Sequence, residues 1–155
     1  MNYQGYRGRV LHFLDEQTPQ YFADGLLITD TDAGTVVGCG DAATMLAQYP
    51  GLSVTQYDNA LIMPGFIDTH IHYPQVDVIA SYGEQLLDWL NNYTFPTEVN
   101  FANADVANNA AEFFLQELLK NGTTTALVFG TVHKSAVDAF FEISQRLNTR
   151  MICGK

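Results

Sequence analysis

Residues 61–75 read Leu61-Ile62-Met63-Pro64-Gly65-Phe66-Ile67-Asp68-Thr69-His70-Ile71-His72-Tyr73-Pro74-Gln75. Pro64 and Gly65 interrupt the chain before an apolar run. Pro74, which has no N–H to give to a ladder, limits the run at its far end. The residues between them read as a strand. Side chains alternate faces along a strand, so Asp68, His70 and His72 share one face and Ile67, Thr69 and Ile71 the other.

Two neutral imidazoles two residues apart on one face can close on a single zinc ion, at about 2.0–2.1 Å per bond. A bare His-x-His is common, so the weight falls on context. This pair ends an apolar strand, follows a Pro-Gly break and precedes a helical region. His70 and His72 are therefore the candidate metal ligands. Asp68, one step deeper on the same face, is either a polar group of the core layer or a partner that orients a histidine, and spacing does not choose between these. Gln75 sits just past the strand, where it gives way to a loop. Its amide carries both a donor and an acceptor, which suits the edge of a heterocycle.

Working outward, residues 1–63 read as short strands, at 9–13, 26–29, 35–39, 54–57 and 61–63, bounded by Gly, Asp, Asn and Pro. Residues 41–49 form a short helix, with Ala42, Met45, Leu46 and Tyr49 at helical spacing. Asp30-Thr31-Asp32-Ala33-Gly34 lacks the third oxygen ligand and the later glutamate of a calcium loop, so it reads as a hairpin turn. His12 has no partner nearby in sequence and reads as structural or exposed.

Beyond Gln75, Leu86, Trp89, Leu90 and Tyr93 make a helical stripe that packs one face, Trp89 included, and Pro96 stops that helix. A second helix spans 105–121, capped by Asn103 or Asp105 and closed by Gly122, with Lys120 favouring its negative pole. Residues 124–130 follow as a nearly unbroken apolar run, expected to be a parallel strand buried on both faces. Ala136, Phe140, Ile143 and Leu147 form another helical stripe, and Met151 to Cys153 begin another strand. Strand, helix, strand in this order implies a parallel crossover. His133 and Lys155 fall just past strand ends, and both read as exposed loop residues before they read as substrate contacts.

The chain has 155 residues, with 17 acidic against 7 basic and a formal charge of −10. Such a surface repels phosphate backbones, so nucleic acid is not an expected partner. The two cysteines, Cys39 and Cys153, lie in apolar strand-like stretches and read as buried thiols, with no disulfide framework. The first residues lack the apolar core of a secretory signal, and no run approaches the roughly 18 apolar residues of a membrane span. A soluble cytoplasmic protein without a membrane partner is the expectation.

Pro64-Gly65-Phe66-Ile67-Asp68-Thr69-His70-Ile71-His72 resembles the first barrel strand of the amidohydrolase superfamily, metal-dependent hydrolases and deaminases built on a (β/α)8 barrel. Four further stretches narrow the resemblance to the guanine deaminase family. They are His70-x-His72-x-x-Gln75, Tyr82-Gly83-Glu84-Gln85-Leu86-Leu87-Asp88-Trp89-Leu90, Tyr93-Thr94-Phe95-Pro96-Thr97-Glu98 and Asn121-Gly122-Thr123-Thr124-Thr125-Ala126. The resemblance covers residues 24–155 and is strongest after Met63.

The resemblance implies an α/β fold, a partial (β/α)8 TIM-type barrel over residues 64–155. Residues 1–63 then form the first part of a small β-sandwich domain. A whole barrel takes about 250 residues, so the chain reads as the amino-terminal part of a longer protein. In the family such a sandwich is completed by residues from beyond the barrel, and without them an apolar face or edge is left open to association.

The implied activity of the complete protein is zinc-dependent hydrolysis of guanine to xanthine and ammonia, with one zinc per active site. The small-molecule purine is its partner, and a homodimer its assembly. His70 and His72 would be zinc ligands and Gln75 a purine contact. The other ligands, the proton-shuttling carboxylate and its neighbours belong to later strands, so no catalytic residue is assigned within this chain. Two ligands fall short of the three typical of catalytic zinc, and residues 1–155 alone are expected to be inactive. The His-x-Glu and Pro-Cys-x-x-Cys signature of the other zinc deaminases is absent. The alternatives are a deaminase or hydrolase of another amine-bearing heterocycle, including a chlorohydrolase-like enzyme, and a non-catalytic scaffold of the same fold.

Overall fold

The computed structural model describes residues 2–83 and 85–154, so Glu84 of the resembling stretch and Lys155 lie outside the described residues. The chain divides into two compact units, Met1–Pro64 and Gly65–Lys155.

The first unit is a four-stranded sheet of β1 (Tyr3–Phe13), β2 (Pro19–Asp30), β3 (Thr35–Asp41) and β4 (Ser53–Ile62) in the order β3-β2-β1-β4. β1–β2 and β2–β3 are antiparallel and β1–β4 is parallel. Sequence patterning divides β4 into two strands at 54–57 and 61–63. It is one strand whose register against β1 shifts between the Arg7 and Arg9 pairs, so its middle reads as a break. The turn at Asp30 is a hairpin, as expected. The Asp30 carboxylate accepts from the N–H groups of Asp32 and Ala33 at 3.0 and 3.2 Å. Gly34 supplies the positive φ, +66°, that this reversal needs.

Helix α1 (Ala42–Gln48) starts at Asp41, whose carboxylate accepts from the Thr44 N–H at 3.1 Å. It lays Ala42 and Met45 on Leu26 and Ile28 to form a small core.

The second unit is a three-stranded parallel sheet, β5 (Phe66–His72), β6 (Thr123–Phe129) and β7 (Arg150–Gly154), in the order β5-β6-β7. At its start a Cβ on Gly65 would lie 2.1 Å from the Thr124 hydroxyl, so only glycine lets β5 come this close to β6. Helix α4 (Ala104–Lys120) is capped by Asn103, whose side chain accepts from the Asp105 N–H at 2.8 Å, and α5 (Lys134–Arg146) follows β6. Both helices cover one face of the sheet. Tyr73, Phe101, Phe114, Leu115 and Phe140 pack there with Ala126 and Val128.

Four expectations change in this unit. β6 is not buried on both faces: Ala126 and Val128 face the helices, while Leu127 is 42% exposed and Ile152 of β7 is 65% exposed. An apolar run cannot reveal whether a second layer covers it.

The stripe from Leu86 to Tyr93 does not form a buried face. α2 (Leu86–Trp89) runs into a π-helical turn at Leu90–Thr94 and on into α3 (Phe95–Val99). The wide turn begins at Leu90, so it takes Tyr93 out of phase with Leu86, Trp89 and Leu90. Leu86 is left 70% exposed.

Pro96 does not end the helix either. It occupies the first turn of α3, where its missing N–H is tolerated. Gln75, placed in a loop by the sequence pattern, belongs to a 3-10 helix over Tyr73–Val78 that begins directly at His72, with Pro74 in its first turn. No helix of the described residues is long and apolar enough to cross a membrane.

Candidate metal centre

β5 brings His70 and His72 to its C-terminal end with their Nε2 atoms 3.3 Å apart and their ring centroids 5.3 Å apart. Neighbouring backbone and rings hold both side chains. The Asp68 carboxylate accepts from the backbone N–H of His70 at 2.9 Å, so it turns back on the main chain and positions His70 from there. Asp68 thus bonds to the backbone of His70 and not to its ring.

Phe129 ends β6 in register with His72 and packs against both imidazoles. Its centroid distances are 4.8 Å to His70 and 4.7 Å to His72, the latter pair stacked at 15°. The pattern missed this residue, although the last apolar position of a parallel neighbour is where such a support would sit.

Gln75 reaches the other side of His72. Its Nε2 lies 3.2 Å from His72 Nδ1 and 3.3 Å from Glu98 Oε1. Glu98 was not singled out from sequence, because α3 carries it in from 23 residues away. Burial lowers the pKa of His72 below the usual imidazole value, the charge of His70 adds to this, and Glu98 pulls the other way. The net direction favours the neutral imidazole, the form that binds metals.

His70, His72, Gln75, Trp89, Glu117 and Asn121 line a cavity of about 630 Å³ whose remaining walls are apolar. Trp89, expected to pack in a core, is half-buried at this wall instead. His133 is half-buried rather than exposed. It lines a separate cavity of about 220 Å³ together with Glu98, and does not join the histidine pair. His12 belongs to the first unit, where its ring stacks on Phe22 at 6.1 Å. Both cysteines are free thiols.

The pair passes a simple test of fit. Two nitrogen ligands on one tetrahedral zinc, each at about 2.0–2.1 Å, lie roughly 3.3–3.4 Å from each other. The observed separation of 3.3 Å matches, and without a metal it also accommodates an N–H···N bond between the rings. Among the described residues no group of three or more His, Cys, Asp or Glu side chains is placed to hold a metal ion. The two ring nitrogens have the spacing that two ligands of one tetrahedral ion would have.

Residues 61–155 match the amidohydrolase family. The guanine deaminase of Escherichia coli (strain K12) is 49% identical over 137 residues, which is 88% of this chain and 31% of that protein. The solved structure of E. coli guanine deaminase superposes with a TM-score of 0.89 at 40% identity, covering 100% of this chain and 37% of that one. Guanine deaminase from C. acetobutylicum, solved with guanine bound in its active site, gives 0.86 at 28% identity, covering 99% and 36%. The chain thus spans about a third of the length of the relatives it matches.

Proposed function

This chain belongs to the amidohydrolase family, and from that premise we propose that the whole protein hydrolyses guanine to xanthine and ammonia, with His70 and His72 holding part of a zinc site. The family is generally metal-dependent. The reading is carried by the 3.3 Å separation of the two Nε2 atoms, which suits a shared tetrahedral ion. The guanine deaminases similar to this chain support the substrate, one of them with guanine in its active site. In the same proposal residues 1–63 form the first part of a small sandwich domain, and residues 64–155 the first part of the barrel.

The chain's own residues have defined tasks. Phe129 packs against both imidazoles, and Asp68 fixes the backbone of His70. The apolar cavity walls limit water around the substrate ring, and Gln75 meets an edge of that ring through its amide. When bound, zinc lowers the pKa of a water towards 7 and so supplies a nucleophile at neutral pH. The remaining metal ligand or ligands and the proton carrier come from the rest of the protein, so residues 1–155 by themselves are inactive.

The test measures xanthine formation and zinc content of the full-length protein and of its His70→Ala/His72→Ala variant. Loss of both zinc and turnover supports the reading. Full zinc content and unchanged turnover in the double variant would sink it, and a panel of aminated heterocycles decides whether guanine is the preferred ring.

A further inference from the structure

One nitrogen, Nε2 of Gln75, faces two neighbours at once: the Glu98 carboxylate at 3.3 Å and His72 Nδ1 at 3.2 Å. These neighbours differ in what they demand. A carboxylate only accepts, whereas an imidazole nitrogen accepts or donates according to its tautomer. Were the amide turned over, two oxygens would face each other with no hydrogen between them. Where His72 and Glu98 ask for opposite orientations, the carboxylate prevails, because a charge-assisted hydrogen bond is roughly twice as strong as a neutral one.

The consequence falls on the other end of the amide. Gln75 lines the same cavity as His70 and His72, and among the described residues its Oε1 accepts no hydrogen bond. That oxygen is what the side chain has left to offer a ligand.

We propose that Glu98 is a positioning residue that decides which edge of Gln75 a ligand meets. It holds the NH2 towards itself, so the cavity is offered a carbonyl and selects a ring edge bearing an amine or ring N–H. The inference rests on the ring-hydrolysing function proposed above and adds its polarity at one position. Glu98 acts through Gln75 and touches no reacting atom.

The test uses the full-length protein, with two unreactive rings that differ by one exocyclic amine, 2-aminopurine and purine. The wild type is expected to prefer 2-aminopurine by about tenfold, the value of one well-made hydrogen bond. In Glu98→Gln, whose amide can satisfy Gln75 in either orientation, the preference should shrink to within about threefold. Independently of any ligand, the Gln75 side-chain NH2 resonances, identified by their loss in Gln75→Met, should move towards free-amide positions in Glu98→Ala.

An unchanged preference in Glu98→Gln, or unmoved Gln75 resonances in Glu98→Ala, would overturn the proposal. Failure of the wild type to bind either ring would instead defeat the proposed function and the ligand half of this inference. The resonances would still judge the hold of Glu98 on Gln75.

Discussion

The hydroxyl of Tyr73 donates a hydrogen bond to the backbone carbonyl of Ala136, 2.8 Å away in space and 63 residues along the chain. Tyr73 follows His72 directly, and its fully buried ring packs against Phe101 and Phe140 at centroid distances of 5.4 and 5.0 Å. The end of the histidine strand is thereby tied to α5. Tyr73→Phe keeps the packing and should lower stability by about 1 kcal/mol, whereas Tyr73→Ala should cost about 3–5 kcal/mol through the cavity it leaves. Urea midpoints measure both, and an unchanged midpoint in Tyr73→Phe would show that the bond contributes nothing.

Asp68 acts on His70 through an oxygen acceptor, so the acceptor and the charge can be separated. Asp68→Asn retains an oxygen and should bind zinc nearly as well as the wild type. Asp68→Ala should bind about tenfold more weakly, the usual effect of removing a partner that orients a ligand. Competition against a chromophoric chelator in the full-length protein reads the difference. Equal losses in the two variants would point to the charge instead of the bond.

Thr94 sits in the π-helical turn at 1% exposure, and its hydroxyl oxygen has no hydrogen-bond partner among the described residues. Thr94→Val keeps the shape and removes an unsatisfied polar atom, so it should stabilise the protein by about 1 kcal/mol. Thermal unfolding checks this. A lower Tm would mean that the hydroxyl is satisfied through water.

Burial pushes the Cys153 thiol from its usual 9.0 up to about 11, and burial followed by the neighbouring Cys153 charge pushes Tyr73 up as well. The folded protein then holds these protons more tightly than the unfolded chain. The Cys153 contribution to stability is full below about pH 9 and is lost as pH rises through about 11, and that of Tyr73 persists to higher pH. Urea midpoints recorded across this window should fall more steeply in the wild type than in Cys153→Ala. Parallel curves would remove Cys153 from the account.

Much of the second unit was legible from local pattern, because Ala110, Phe114 and Leu118, and then Ala136, Phe140 and Ile143, recur at helical spacing and do face the core or its edge. Asn103 capping α4, and the hairpin at Asp30 to Gly34, were legible for the same reason: each rests on bonds spanning two to four residues. Leu86 to Tyr93 misled because helical spacing shows which residues share a side, not whether another element covers that side, and because the wide turn after Leu90 displaces Tyr93. β6 misled because apolarity measures the tendency to be covered, whereas coverage depends on which layers are present.

The histidine strand and its resemblance to a metal-dependent barrel family are visible in the order of residues alone, since alternation along an extended chain puts His70 and His72 on one side whatever surrounds them. What supports them comes from long-range packing. Phe129 arrives by strand pairing, Glu98 arrives on a helix 23 residues beyond Gln75, and Trp89 reaches the cavity wall after an irregular excursion. Those contacts join residues far apart along the chain. They depend on register and on the packing of several elements together, which no short-range pattern encodes.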